Sequence, residues 1–172
     1  IVDCQFVANS ATNFGGAAFI VEASYPVFRR CTFIGNGASS GGAIKIGVSA
    51  PEFHETKFLG NFAFDLGGAI VNSDGANPEM TNCLFSGNGS AAGAGMYNDS
   101  SNPTLVNCTL SENSAQDFGG GMFNVTYSTP TITNTILWGN HDSDGSGQNS
   151  QIRRISSAPP LISYSCVQGW TG

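Results

Sequence analysis

Apolar residues repeat along this chain on two scales. Over three or four residues they alternate with polar ones, as in Glu52-Phe53-His54, Lys57-Phe58-Leu59 and Ile44-Lys45-Ile46. That alternation predicts short strands with one face buried. Over a longer span, Phe6, Phe33, Phe58, Phe85, Leu110 and Leu137 each stand three places before an asparagine. Those asparagines are Asn9, Asn36, Asn61, Asn88, Asn113 and Asn140, spaced 27, 25, 27, 25 and 27 residues apart. A unit near 26 residues cannot bury a core alone, so its copies must stack. Each unit predicts three strands, represented by 41–46, 52–54 and 56–59. Ile44, Ile70, Met96 and Met122 then point inward, with Phe28, Phe53, Met80, Leu105, Ile132 and the Phe/Leu column. Hairpins cannot join parallel strands, whereas stacking at roughly 4.8 Å per coil satisfies the backbone along the axis. The expected fold is all-β: a single-stranded parallel β-helix of about six coils of 25–27 residues.

Turn formers keep the same time. Glycine recurs at Gly16, Gly42, Gly68 and Gly120, with Ala94 in the gap, and proline at Pro26, Pro51, Pro78, Pro103 and Pro130. Glycine permits positive φ or close backbone approach, and proline suits the first residue of a strand. The asparagines are expected to take left-handed corners and to bond to one another between coils. Asn72, Asn98 and Asn124 make a second such ladder. The 25/27 alternation is assigned to two turns, where length changes cost little. Residues 1–172 read as one domain, with regular coils over 1–140 and a looser last coil over 141–172 that brings Cys166 into the cysteine column. The chain opens in mid-unit and reads as a fragment or mature piece of something longer.

Composition narrows the function. Only 10% of residues are charged and the net charge is −6, with six Lys and Arg in all. No basic footprint for nucleic acid exists, and an anionic membrane surface is disfavoured. No run of 18 apolar residues offers a spanning helix, so this segment is expected not to be membrane-embedded. Asn88, Asn98, Asn107 and Asn124 fall in Asn-x-Ser/Thr sequences, which an Asn- and Ser-rich chain produces by chance.

The paired motifs have a family likeness. Phe6-x-x-Asn9, Phe33-x-x-Asn36, Phe58-x-x-Asn61 and Phe85-x-x-Asn88 alternate with Gly41-Gly42-Ala43-Ile44 and Gly67-Gly68-Ala69-Ile70. This FxxN/GGA(I/L/V) pair resembles the repeats of the polymorphic outer membrane proteins, the chlamydial surface adhesin and autotransporter family. It also resembles those of large secreted bacterial proteins with a pectin-lyase-like right-handed β-helix. The likeness covers residues 1–140, departs from the pattern at Ala18, Ala94, Leu110 and Leu137, and lacks a C-terminal barrel. It implies a right-handed coil, in line with the crossover rule. It also implies an extracellular or cell-surface setting, associated with a bacterial outer membrane, and an adhesive role.

Three clusters could carry chemistry. A charged patch sets Arg29 beside His54 and Arg30 beside Glu55, with Lys57 and Glu52 at the flanks. Enzymes of the resembled fold build acid–base sites of this kind on the coil wall, though a solvated face of weak ion pairs gives the same pattern. An outward stripe of Phe19, Lys45, Val71, Tyr97 and Phe123, one per coil, could bind a glycan or protein, or could simply be a ladder that stabilises the sheet. Asp65 and Asp117 share a turn column two coils apart, too far to hold one calcium together. Asp142-x-Asp144-x-Ser146 is half an EF-hand loop without its glutamate. Cys4, Cys31, Cys83 and Cys108 share a column with Thr56 and Thr135. They read as a buried ladder, with Cys4–Cys31 or Cys83–Cys108 disulfides the alternative. No cofactor or metal is expected.

Three readings follow. The first is a non-enzymatic adhesin-like or structural segment binding a protein or glycan on its side. The second is part of a polysaccharide lyase or hydrolase. The third is a spacer or filament unit associating end to end.

Overall fold

A computed structural model describes residues 1–170. Every strand pairing in its four sheets is parallel, and each strand pairs with its counterpart one coil away: a β-solenoid of about six turns. The second coil shows the path. Ile44–Gly47 runs along one wall, Glu52–His54 along the next and Lys57–Leu59 along the third, as the alternation predicts. A fourth strand, Phe62–Leu66, then leads to the next Gly-Gly corner. We name the four walls the Gly-Gly, Pro, FxxN and fourth sheets, of six, six, seven and four strands.

The fourth sheet is a correction. Gly37–Ser40, Phe62–Leu66, Gly89–Ala92 and Ser114–Phe118 are strands where the sequence suggests a turn. Gly37–Ser40 and Gly89–Ala92 carry only small side chains, and in Phe62–Leu66 the large Phe62 and Phe64 point outward around a buried Ala63, so the usual alternation is hidden. Two of the strands are one residue longer than their neighbours, and the register shifts between them, so half of the length alternation is a β-bulge. Asp65 and Asp117 therefore lie on strands. Asp65 accepts the Ser39 hydroxyl proton from the coil before.

The core is made of stacked identical positions. Phe6, Phe33, Phe58 and Phe85 lie face to face with centroids 4.5, 5.1 and 4.6 Å apart. Phe28 stacks on Phe53 at 5.0 Å, and Phe53 meets Phe58 edge-on at 5.6 Å. The aliphatic and Met columns fill the rest, fully buried from Ile44 to Met122.

Asparagine's corner role is also corrected. The left-handed residue is the one before it, at Gly35, Gly60, Gly87 and Gly139. The asparagine itself is a clamp. From Asn36 through Asn140, each Oδ1 accepts both the backbone N–H and the side-chain N–H of the preceding coil's asparagine, beginning with Asn9 as donor. Gln151, on the short helix Gln148–Gln151, closes the ladder by accepting from Asn140 Nδ2 at 2.7 Å. The second ladder runs Asn72 to Asn98 to Asn124 at 2.7 and 2.8 Å, and leaves Asn72 Oδ1 and Asn124 Nδ2 at its two ends buried without partners among the described residues. The glycine pairs split their duties as well. The first of each pair (Gly15, Gly41, Gly67, Gly93, Gly119) has φ between 59° and 69°. The second gives close approach: a Cβ on Gly42 would stand 2.2 Å from the Gly68 carbonyl oxygen.

All five cysteines are free. The Cys83 thiol is pushed up by its hydrogen bond with Cys108 and by burial, which keeps it protonated. In the tail, Ser165 rather than Cys166 takes the column position, its hydroxyl accepting from Thr135 N at 3.0 Å. Cys166 is exposed and opposite Ile136. Asp142 organises its loop, with one oxygen taking Gly119 N at 2.7 Å and the other taking Ser150 Oγ and Asp144 N. No cluster of three metal-ligating side chains is found among the described residues.

Candidate functional site

The Gly-Gly sheet has an inner face of Ile and Met side chains with the second asparagine ladder, and a mixed outer face. Strands Ala18–Ile20, Ile44–Gly47, Ile70–Ser73, Met96–Asp99, Met122–Val125 and Ile152–Ile155 lie in register. The register stacks Phe19, Lys45, Val71, Tyr97, Phe123 and then Arg153 in one outward column. The left-handed glycine corner folds the end of the fourth sheet against this column. Phe14 thus meets Phe19 at 5.6 Å, and Phe118 meets Phe123 at 5.9 Å.

This second column changes which of the stripe residues reach solvent. Phe123 is 6% exposed and Val71 3%, although both face outward. Tyr97 packs edge-on against Phe123 at 5.6 Å. Arg153 spans Phe118 at 5.0 Å while bonding Asp144 at 3.0 Å. Burial and the nearby Asp99 charge push the Tyr97 phenol up. This end of the stripe is therefore packed surface. The other end is open: Phe19 is 51% exposed.

Beside Phe19 lies a cleft of about 330 Å³, lined by Phe19, Val21, Glu22, Lys45, Gly47, Val48, Ser73 and Asp74. That is the lower end of the range for small-ligand sites. Gly47 makes the floor. A Cβ there would lie 3.6 Å from Ser73 Oγ, 3.7 Å from Asp74 Oδ2 and 3.7 Å from Val21 Cγ1, all ordinary contacts. The sheet thus leaves room for a methyl group between a hydroxyl, a carboxylate and a methyl group. Lys45 keeps its ammonium over the Phe14 ring, 3.8 Å from the centroid.

The charged patch sits on the corner between the Pro and FxxN sheets. Arg29 is opposite His54, as the spacing predicts. Arg30 and Glu55 occupy left-handed corner positions, φ 50° and 52°, in column with Asn82, Asn107 and Asn134. Arg30 forms a fork to Asp3 at 2.7 and 2.9 Å, which lowers the Asp3 carboxyl and raises the guanidinium from their ordinary values. His54 Nε2 contacts Glu52 Oε2 at 3.0 Å. Lys57 and Glu55 are exposed beside a shallow groove with Asn82 and Leu84. A larger hollow, about 660 Å³, lies over the last coil. Its arginines are engaged, Arg153 by Asp144 and Arg154 by the Ser157 carbonyl.

Sequence reasoning finds Phe19 and Lys45 but misses Glu22, Val48, Ser73, Asp74 and the Gly47 floor. Gly47 lies opposite Ser73 in the same sheet, and a glycine at a strand position is a signal of space or close approach.

Residues 1–147 match the model of the right-handed β-helix region. The chain belongs to the right-handed β-helix family. No curated protein and no solved structure matches it. Membership fixes the hand of this β-helix and the stacking of its coils. Among the described residues, no helix is long and apolar enough to cross a membrane.

Proposed function

We propose that this β-helix is a non-enzymatic binding segment of a secreted or cell-surface protein, a rigid rod holding an extended glycan along its Gly-Gly sheet. The observation that carries this reading is the cleft lined together by a half-exposed Phe19 and by Gly47, which has no side chain. Flat parallel sheet costs little further ordering on binding, which favours an extended ligand. An aromatic face offers the apolar side of a sugar ring its natural partner. One coil advances by roughly 4.8 Å, close to the length of one pyranose unit, so neighbouring coils can meet neighbouring sugars. The surface setting rests on the FxxN and GGA(I/L/V) resemblance. The lyase reading is less well supported, because Arg30 and His54 are each engaged by a neighbouring carboxylate in the open.

The test is a glycan array with the native chain, Phe19→Ala and Gly47→Val. Gly47 has an ordinary backbone conformation and a Cβ there meets only ordinary contacts, so valine at 47 is expected to fill the floor while the fold, checked by circular dichroism, is kept. Both variants are expected to lose binding by tenfold or more, about 1.4 kcal/mol, with unchanged circular dichroism. Equal binding by all three proteins refutes the lateral site. Uronate polysaccharide incubated with the native chain is expected to yield no unsaturated product.

A further inference from the structure

The cleft has a charge pattern that selects among glycans. Two carboxylates, Glu22 and Asp74, stand at its edge, and neither has an ion-pair partner within 4 Å among the described residues. Asp74 Oδ2 reaches over the floor at Gly47. The one cation of the lining, Lys45, holds its ammonium against Phe14. The chain as a whole carries −6. A polyanionic ligand meets repulsion here at long and short range, and a cationic one meets attraction at both.

We infer that the cleft takes an amino-sugar unit of a polysaccharide, its protonated amine held by Asp74 and its ring lying on Phe19, with Glu22, two coils from Asp74, adding negative charge at the opposite edge. This rests on the lateral-cleft reading and names its ligand class. The chemistry has three parts. An ammonium donates three hydrogen bonds and has no acceptor, which matches the Asp74 carboxylate and the Ser73 hydroxyl oxygen beside it. Phe19 offers a π face that attracts both the ring's C–H groups and the charge beside them. Acetylation of the amine removes the charge and adds bulk that the Gly47 floor and Val21 confine. The site therefore distinguishes free from acetylated amino sugars.

The experiment titrates the intact chain, by calorimetry, with a glucosamine oligosaccharide, its N-acetylated counterpart, a uronate oligosaccharide and an oligolysine peptide. The variants are Asp74→Asn, Glu22→Gln, Gly47→Val and the distant control Asp117→Asn. Asparagine suits the left-handed φ of 58° at Asp74, so the backbone is undisturbed. The free amino oligosaccharide is expected to bind tightest. Asp74→Asn should weaken it by roughly 10- to 100-fold, the worth of one charge-assisted hydrogen bond. Asp117→Asn should change it less than about twofold, since exposed charges beyond a Debye length are screened. Equal binding of the acetylated form overturns the inference, as does equal binding of oligolysine or an equal loss in Asp117→Asn. If Gly47→Val abolishes binding of every glycan while Asp74→Asn alters none, the amine assignment fails and the lateral cleft stands. If Gly47→Val changes nothing, both fail.

Discussion

The asparagine ladder can be tested at its middle and at its end. Asn61→Ala removes four hydrogen bonds. Asn61 Nδ2 donates to Phe33 O at 3.0 Å and to Asn88 Oδ1 at 2.9 Å. Its Oδ1 accepts from Asn36 N at 3.0 Å and Asn36 Nδ2 at 2.9 Å. Asn36 Nδ2 keeps a second partner, the Phe6 carbonyl, but the buried Asn36 N–H is left with none. At about 1 kcal/mol net per bond, the loss is about 4 kcal/mol. Asn9→Ala removes a single side-chain bond, Nδ2 to Asn36 Oδ1 at 2.9 Å, on an exposed residue. Its cost is about 1 kcal/mol or less. For a chain of this length the two should lower Tm by roughly 8–16 °C and 2–4 °C. Urea unfolding followed by circular dichroism and by tryptophan fluorescence measures both, and coincidence of the two probes checks cooperativity in a stacked array. Asn61→Asp supplies the sign control. It keeps the acceptor but places a buried carboxylate against two oxygens, so its folded pKa is raised. Its destabilisation is largest at neutral pH and shrinks as pH falls towards the unfolded carboxyl value. Equal costs for Asn9→Ala and Asn61→Ala, or a cost below about 1 kcal/mol for the latter, would refute the clamp.

Four further outcomes are expected. Phe58→Ala should cost about 3–5 kcal/mol in urea unfolding, since its ring stacks between Phe33 and Phe85 in a fully buried column. Gly67→Asn should cost more than about 2 kcal/mol, whereas Gly60→Asn should stay within about 0.5 kcal/mol. Both have positive φ, but a Cβ on Gly67 stands 2.4 Å from Ile70 O while Gly60 has open space, so equal Tm shifts would reject the packing argument. Glu55→Asn should stabilise by about 0.5–1 kcal/mol, because asparagine tolerates the left-handed corner better than glutamate; a fall in Tm counts against it. The depressed Asp3 carboxyl contributes stability above its ordinary pKa that is lost as pH falls through the lowered one. NMR titration of the Asp3 carboxyl should show Arg30→Gln returning it to the ordinary range.

The inside of the coil was legible and the outside only partly so. Phe58 must meet Phe33 and Phe85 in the same space, so the inner columns repeat and the period exposes them. The Pro and FxxN strands fall where alternation puts them, because a bulky inward residue sits between polar ones. The fourth sheet escaped because Gly37–Ser40 and Gly89–Ala92 present small side chains on both faces. With no size contrast there is no period to read. Its strands are held by the Asn clamp at one end and the Gly-Gly corner at the other, which are contacts between coils rather than local preferences.

The cleft escaped for a different reason. Outward positions need only avoid clashing with the coil above and below, so Phe19, Lys45 and Val71 can differ freely in one column. What makes the site is the combination of an aromatic ring with a missing side chain on the neighbouring strand and a carboxylate two coils away. Those three features come from three coils, each unremarkable in its own unit. A period-based reading averages them, and only the register, Ser73 on Gly47 and Phe19 on Lys45, puts them together. A repeat protein of this kind can therefore keep its core sequence under tight constraint while its binding chemistry changes one outward residue at a time. Transplanting that logic gives a strict expectation: replacing Ser73 or Val48 should alter which sugar is bound without moving Tm by more than about 2 °C. A large thermal shift would mean that the cleft walls belong to the fold.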